Sequence, residues 1–100
     1  MLKHVVMFKF KESTGQAERV GLLAQLETLK DNIDCIRDLQ IGLDLLHTAR
    51  SWDGVLIVTL DDLEALQVYA DHPFHVPIKQ AVARLADVAT VDFEHHDAPV

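Results

Sequence analysis

Residues 2 to 10 alternate so that His4, Val6, Phe8 and Phe10 project one way and Val5 and Met7 the other, with Lys3, Lys9 and Lys11 at the margins. A period of two with apolar residues on both faces predicts a strand covered on both sides. The period then changes. Leu22, Leu26, Leu29 and Ile33 recur at helical spacing, flanked by Val20 and Leu23, while Glu18, Arg19, Gln25, Glu27 and Lys30 make a wetter face. Ser13, with Gln16 three positions on, predicts a capping box that opens a helix over about 14 to 31, and Asp31-Asn32 ends it. Leu39, Ile41, Leu43 and Leu45 return to a period of two and predict a second strand near 36 to 46, with Gly42 marking a bulge. His47 to Gly54 is a polar turn region. Val55 to Leu60 is a third strand with two apolar faces.

Asp61 and Glu64 repeat the capping pattern ahead of a second helix, whose Leu63, Leu66, Tyr69 and Ala70 share a side. Pro73 breaks that helix, because proline disfavours helical geometry at His72 and removes a backbone donor. A further helix over about 76 to 86 has Pro77 in its first turn and turns Ile78, Val82 and Leu85 inward. Val88 to Glu94 predicts the last strand, and residues 95 to 100 read as a tail. The order of strand, helix, strand, strand, helix pair and strand points to an α+β ferredoxin-like sandwich, a four-stranded antiparallel sheet with helices on one face. Helices cover one face only, yet the first and third strands are apolar on both. Two copies packed sheet to sheet resolve this, so the pattern predicts a homodimer with a barrel-like core, a dimeric α+β barrel.

At 100 residues the chain reads as one domain, able to bury roughly two thirds of its unfolded surface without disulfide or metal. Sixteen acids against nine bases give a net charge of -7, which argues against nucleic acid and against anionic membrane surfaces as partners. The longest strongly apolar run, Val55-Leu56-Ile57-Val58, is too short to span a bilayer, and Met1-Leu2-Lys3-His4 leads into a strand without signal-peptide anatomy. The single cysteine, Cys35, suits a reducing compartment and reads as a small packing residue. The expected location is cytoplasmic.

The segment Tyr69-Ala70-Asp71-His72-Pro73-Phe74-His75-Val76 sets a phenol and two imidazoles around a proline. Histidine titrates near neutrality and a phenol both donates and accepts hydrogen bonds, so His75 and Tyr69 are candidates for proton handling. Each also has a structural role open to it. His75 can cap the following helix, Tyr69 can be a core residue, and His72 can fix the turn before Pro73. His4, among apolar strand residues, suits either a pocket or a core position. Asp92, a carboxylate between Val91 and Phe93, can orient His75 or bond backbone at the dimer seam. His72, His75 and the His95-His96 pair do not form a supported zinc ligand set, since Pro73 and the tail position work against convergence. Phosphate loops, nucleotide fingerprints, serine elbows and cysteine nucleophiles are absent, and no cofactor is expected.

The residues His4 to Lys11, Trp52-Asp53, the Tyr-x-x-His-Pro-x-His arrangement ending at His75, and Val91-Asp92-Phe93 together resemble the stress-responsive A/B barrel family, the dimeric α+β barrel or Dabb domain. The resemblance spans nearly the whole chain and implies the fold more sharply than a reaction. Within that family, the likeness to plant polyketide cyclases of the olivetolic acid type implies aldol closure of a poly-β-keto thioester. It gives His75 the role of general base or acid, has Tyr69 bind or polarise a substrate carbonyl, and sets His4 beside them. Those cyclases take a long alkyl chain, so the room left by Phe74, Ile78 and Val82 governs which substrate fits. Three readings follow: a cofactor-independent cyclase or lyase acting on a small carbonyl compound; a stress-associated oligomeric or binding protein that uses the same residues structurally; and a cofactor-free oxygenase with Trp52 near the site.

Overall fold

The computed structural model describes residues 1–96. In chain order the elements are β1 (Leu2–Phe10), α1 (Gln16–Glu27), α2 (Leu29–Asn32), β2 (Asp38–Leu43), β3 (Gly54–Leu60), α3 (Leu63–Asp71), α4 (His75–Leu85) and β4 (Ala86–Glu94). All pairings are antiparallel and the spatial order is β2-β3-β1-β4, the ferredoxin-like arrangement. The two strands with two apolar faces, β1 and β3, lie at the centre, where neighbours flank them on both sides.

Register sorts the side chains. Leu2, His4, Val6 and Phe8 of β1 stand opposite Leu60, Val58, Leu56 and Gly54 of β3, on the face covered by helices. Leu22, Leu26, Leu29 and Ile33 are buried against them, as their spacing predicts. Each such side chain contributes about 1.5–3 kcal/mol by leaving water. Val5, Met7, Val55, Ile57, Val91 and Phe93 share the other face, on which none of the described helices packs; Met7, Val91 and Phe93 are exposed there. Among the described residues, no helix is long and apolar enough to cross a membrane.

The boundaries depart from the sequence pattern where local chemistry decides. The helix expected over 14 to 31 is two helices, α1 and α2. Thr28 stands between them and donates its hydroxyl to the Gln25 carbonyl at 2.6 Å, a local bond that competes with the helical ladder. Gly15, not Ser13, caps α1, its N–H donating to Glu18 Oε1 at 3.2 Å. The neighbouring Thr14 is buried and donates its hydroxyl to the Leu85 carbonyl at 2.7 Å, tying the start of α1 to the end of α4. Asp62, not Asp61, caps α3 by accepting the Ala65 N–H at 2.9 Å. Asp61 instead receives Arg37 in a two-pronged pair, and the guanidinium holds its carboxyl below the usual range.

Leu63, expected on the buried side of α3, is 71% exposed because it opens the helix beyond the sheet's cover. The second strand stops at Leu43, and Leu45 is 89% exposed beyond it. Gly42 makes no bulge, since it pairs in register with Val55. The fourth strand begins two residues early, at Ala86, which pairs with Phe10. Pro73 ends α3 as its ring requires: His72 is extended at φ -62° and ψ 133°. In the expected tail, the His95 N–H donates to the Met1 carbonyl at 2.9 Å; residues 97–100 lie outside the described residues.

Candidate active site

A cleft of about 320 Å³ lies between the helix layer and the sheet. Its floor comes from His4 and Val6 of β1, Leu56 of β3, and Val88 and Thr90 of β4, and its roof from α3 and α4. Tyr69 and His75 enter from the roof, on either side of the Pro73 break. The break matters geometrically: it lets α4 restart at a new angle, so residues six positions apart meet face to face. Their rings stack with centroids 4.2 Å apart and planes 28° from parallel. His4 meets the same phenol edge on, with centroids 5.8 Å apart. The fold therefore gathers His4, Tyr69 and His75 around one cavity.

Hydrogen bonds set the tautomers. His75 Nδ1 lies 3.1 Å from the Ala70 carbonyl, which only accepts, so Nδ1 carries the proton and Nε2 of the neutral ring keeps its lone pair. Burial, the largest influence, pushes the His75 pKa below its ordinary value; the Ala70 bond acts the other way, and Lys79, His4 and His72 add to the lowering. His4 Nδ1 lies 2.5 Å from Asp92 Oδ1, so there too Nδ1 is the donor. Among the described residues Asp92 meets His4 and not His75, because β1 and β4 pair His4 directly with Asp92. Nor is it a sealed carboxylate; its side chain is 36% exposed at the sheet edge.

Tyr69 is only 1% exposed, yet its hydroxyl has no hydrogen-bond partner among the described residues. No described side-chain polar atom is both sealed from solvent space and unbonded, so this hydroxyl opens into the cleft. Burial raises its pKa well above the ordinary 10, and the phenol stays a neutral donor. His72 takes a different part: its Nδ1 accepts the Phe74 N–H at 3.0 Å and pins the turn.

Ile78 and Val82 line the cleft, whereas Phe74 packs against the core. Trp52 is half-buried in the turn before β3 and does not line the cleft. Cys35 donates its thiol to the Ala65 carbonyl at 3.6 Å, and burial raises its pKa, so it is no thiolate nucleophile. No group of three His, Cys, Asp or Glu side chains able to hold a metal comes together among the described residues. Lys79 and Thr90 are cleft residues the pattern reading passed over. Both had a signal: Lys79 follows His75 by one helical turn, and Thr90 precedes Asp92 by one strand repeat.

A four-stranded antiparallel ferredoxin-like sheet with helices on one face is the fold of the A/B barrel class of α+β proteins. The chain belongs to the stress responsive A/B barrel domain family, whose profile matches residues 2–95. It is 26% identical over 77 residues to olivetolic acid cyclase of Cannabis sativa, covering 75% of this chain and 76% of that protein. It is 27% identical over 95 residues to the stress-response A/B barrel domain-containing protein At5g22580 of Arabidopsis thaliana, covering 91% and 83%. Among solved structures, a dimeric ferredoxin-like protein of unknown function from Bacteroides fragilis superposes with a TM-score of 0.78 at 28% identity, covering 94% of this chain and 95% of that one.

Proposed function

We propose that the chain works as a homodimer that binds a small carbonyl compound and performs cofactor-independent acid–base chemistry of the cyclase or lyase kind. His75 is the base and Tyr69 the donor to the carbonyl oxygen. The observation that carries this reading is the Tyr69 hydroxyl, which opens into the cleft with no hydrogen-bond partner among the described residues, beside an imidazole whose Nδ1 is held by the Ala70 carbonyl. A phenol hydroxyl donates as well as accepts, so a ligand carbonyl oxygen in the cleft can take its hydrogen bond. The similarity to olivetolic acid cyclase supports the same chemistry.

In the forward sense, His75 Nε2 takes a proton from the carbon next to a carbonyl, and the C–H electron pair becomes an enolate. The Tyr69 hydroxyl donates to the enolate oxygen as charge develops on it. The enolate carbon then attacks a second carbonyl of the same molecule, a carbon–carbon bond forms, and the new alkoxide takes its proton from His75. A lyase runs these steps in reverse. His4, its tautomer held by Asp92, supplies a second imidazole in ring contact with Tyr69. The homodimer covers the face bearing Val5, Met7, Ile57 and Val91, in keeping with the dimeric B. fragilis relative.

The test is turnover of β-keto substrates by the wild type and by His75→Ala. The expected loss is about a hundredfold to ten-thousandfold, the usual span for a well-placed acid–base group. A second reading has an observation of its own: the His75–Ala70 bond ties the start of α4 to the end of α3. In that reading the protein is a stress-associated oligomer or binding protein, and His75→Ala lowers the melting temperature while turnover does not change.

A further inference from the structure

We infer that the cleft takes a carbonyl compound that also bears a carboxylate, and that Lys79 at its mouth selects for that group; this rests on the acid–base reading above. The chain carries a net charge of -7, yet among the described residues no Asp or Glu lines the cleft. Lys79 is the only formally charged residue among those lining it. Its side chain is exposed and makes no hydrogen bond or ion pair among the described residues, although acids outnumber bases sixteen to nine. Asp92 sits behind the cleft wall, bonded to His4, so a cation over a described lining without acids is placed to meet an anion.

Spacing sets what kind of anion. Lys79 follows His75 by four positions on α4, so the two side chains stand side by side with about 5–6 Å between their Cβ atoms. A ligand whose carbonyl reaches Tyr69 and His75 therefore meets Lys79 with a group a few bonds away. Leu66, Ile78, Val82 and Val88 provide apolar walls between. At about 320 Å³ the cleft is at the small end of ligand sites. A compact apolar body with a ketone and a nearby carboxylate, a small keto acid, matches these features together.

The probes are 3-benzoylpropionate and its uncharged amide, which share a ketone and a phenyl ring and differ in charge. Each is titrated calorimetrically into the wild type and into Lys79→Met, with Lys79→Gln as a second variant that keeps a polar tip. The wild type is expected to bind the acid about fivefold more tightly than the amide, the upper range for a solvent-exposed ion pair. Added salt narrows that gap. Both variants are expected to bind acid and amide alike. Equal binding of the two probes by the wild type overturns the inference, as does a preference that survives in both variants, or no binding of either probe. These outcomes are separable from failure of the acid–base reading, which His75→Ala turnover decides. Lys79-dependent acid preference with no loss of turnover in His75→Ala sinks that reading and leaves the charge selection standing.

Discussion

At His75, burial and a hydrogen bond pull the proton affinity in opposite directions, and burial wins. The folded-state pKa lies below the ordinary 6.5. If neutral His75 is the base, kcat/KM falls with unit slope on the acid side, with its midpoint below 6.5. An NMR titration of the His75 ring locates the same midpoint, and a value above 6.5 contradicts the assignment. Linkage gives stability the same sense. The unfolded chain binds this proton more readily than the folded one, so the His75 contribution is whole above 6.5 and is lost as pH falls from there through the folded pKa. His75→Gln should flatten the acid-side decline of the urea midpoint. The types of Tyr69 and His75 and their short spacing were legible in the chain. Their stacking was not, because it depends on the angle at which α4 restarts after Pro73.

Elements begin and end where single residues compete with the backbone. Period and breakers foretold every strand and both main helical regions. The caps slipped by one or two positions because several adjacent polar residues were equally able to serve, and tertiary partners claimed some of them. Arg37 took Asp61, and the Leu85 carbonyl took Thr14. Gly42 drew attention as a bulge, yet Gly54 is the strand glycine with a reason to be there. A Cβ at Gly54 would lie 2.8 Å from the Gly42 carbonyl oxygen and closer still to the Phe8 ring. Gly54→Ala is therefore expected to destabilise by about 1–3 kcal/mol in urea unfolding, as overpacking does. In contrast, a Cβ at Gly21, in the middle of α1, meets nothing within 4 Å. Gly21→Ala should stabilise by about 0.5–1 kcal/mol, the helix propensity difference. Similar effects at the two sites would contradict this packing account.

For the whole molecule, the sheet's open face is the feature that calls for a second copy. Ile57 and Val5 are paired neighbours on the two central strands, in the middle of that face. Ile57→Glu sets a carboxylate at the centre of a sheet-to-sheet contact, where two symmetry-related charges meet without a partner. Sedimentation should show the wild type as a dimer and the variant as a monomer at micromolar concentration. A wild-type monomer, or an unaffected dimer, rules out this face as the interface.

The chain by itself determined the order and type of elements, the two-faced central strands, the proline break and the residue types available for proton transfer. These follow from periodicity and backbone restriction, which act over a few residues. Only the tertiary structure decided which groups meet. Asp92 joins His4, 88 residues away, because β1 and β4 pair in that register, and the Tyr69 hydroxyl has no partner among the described residues because the surrounding packing leaves a cleft there. Register and cavity shape arise from long-range packing, to which no local pattern in the chain corresponds.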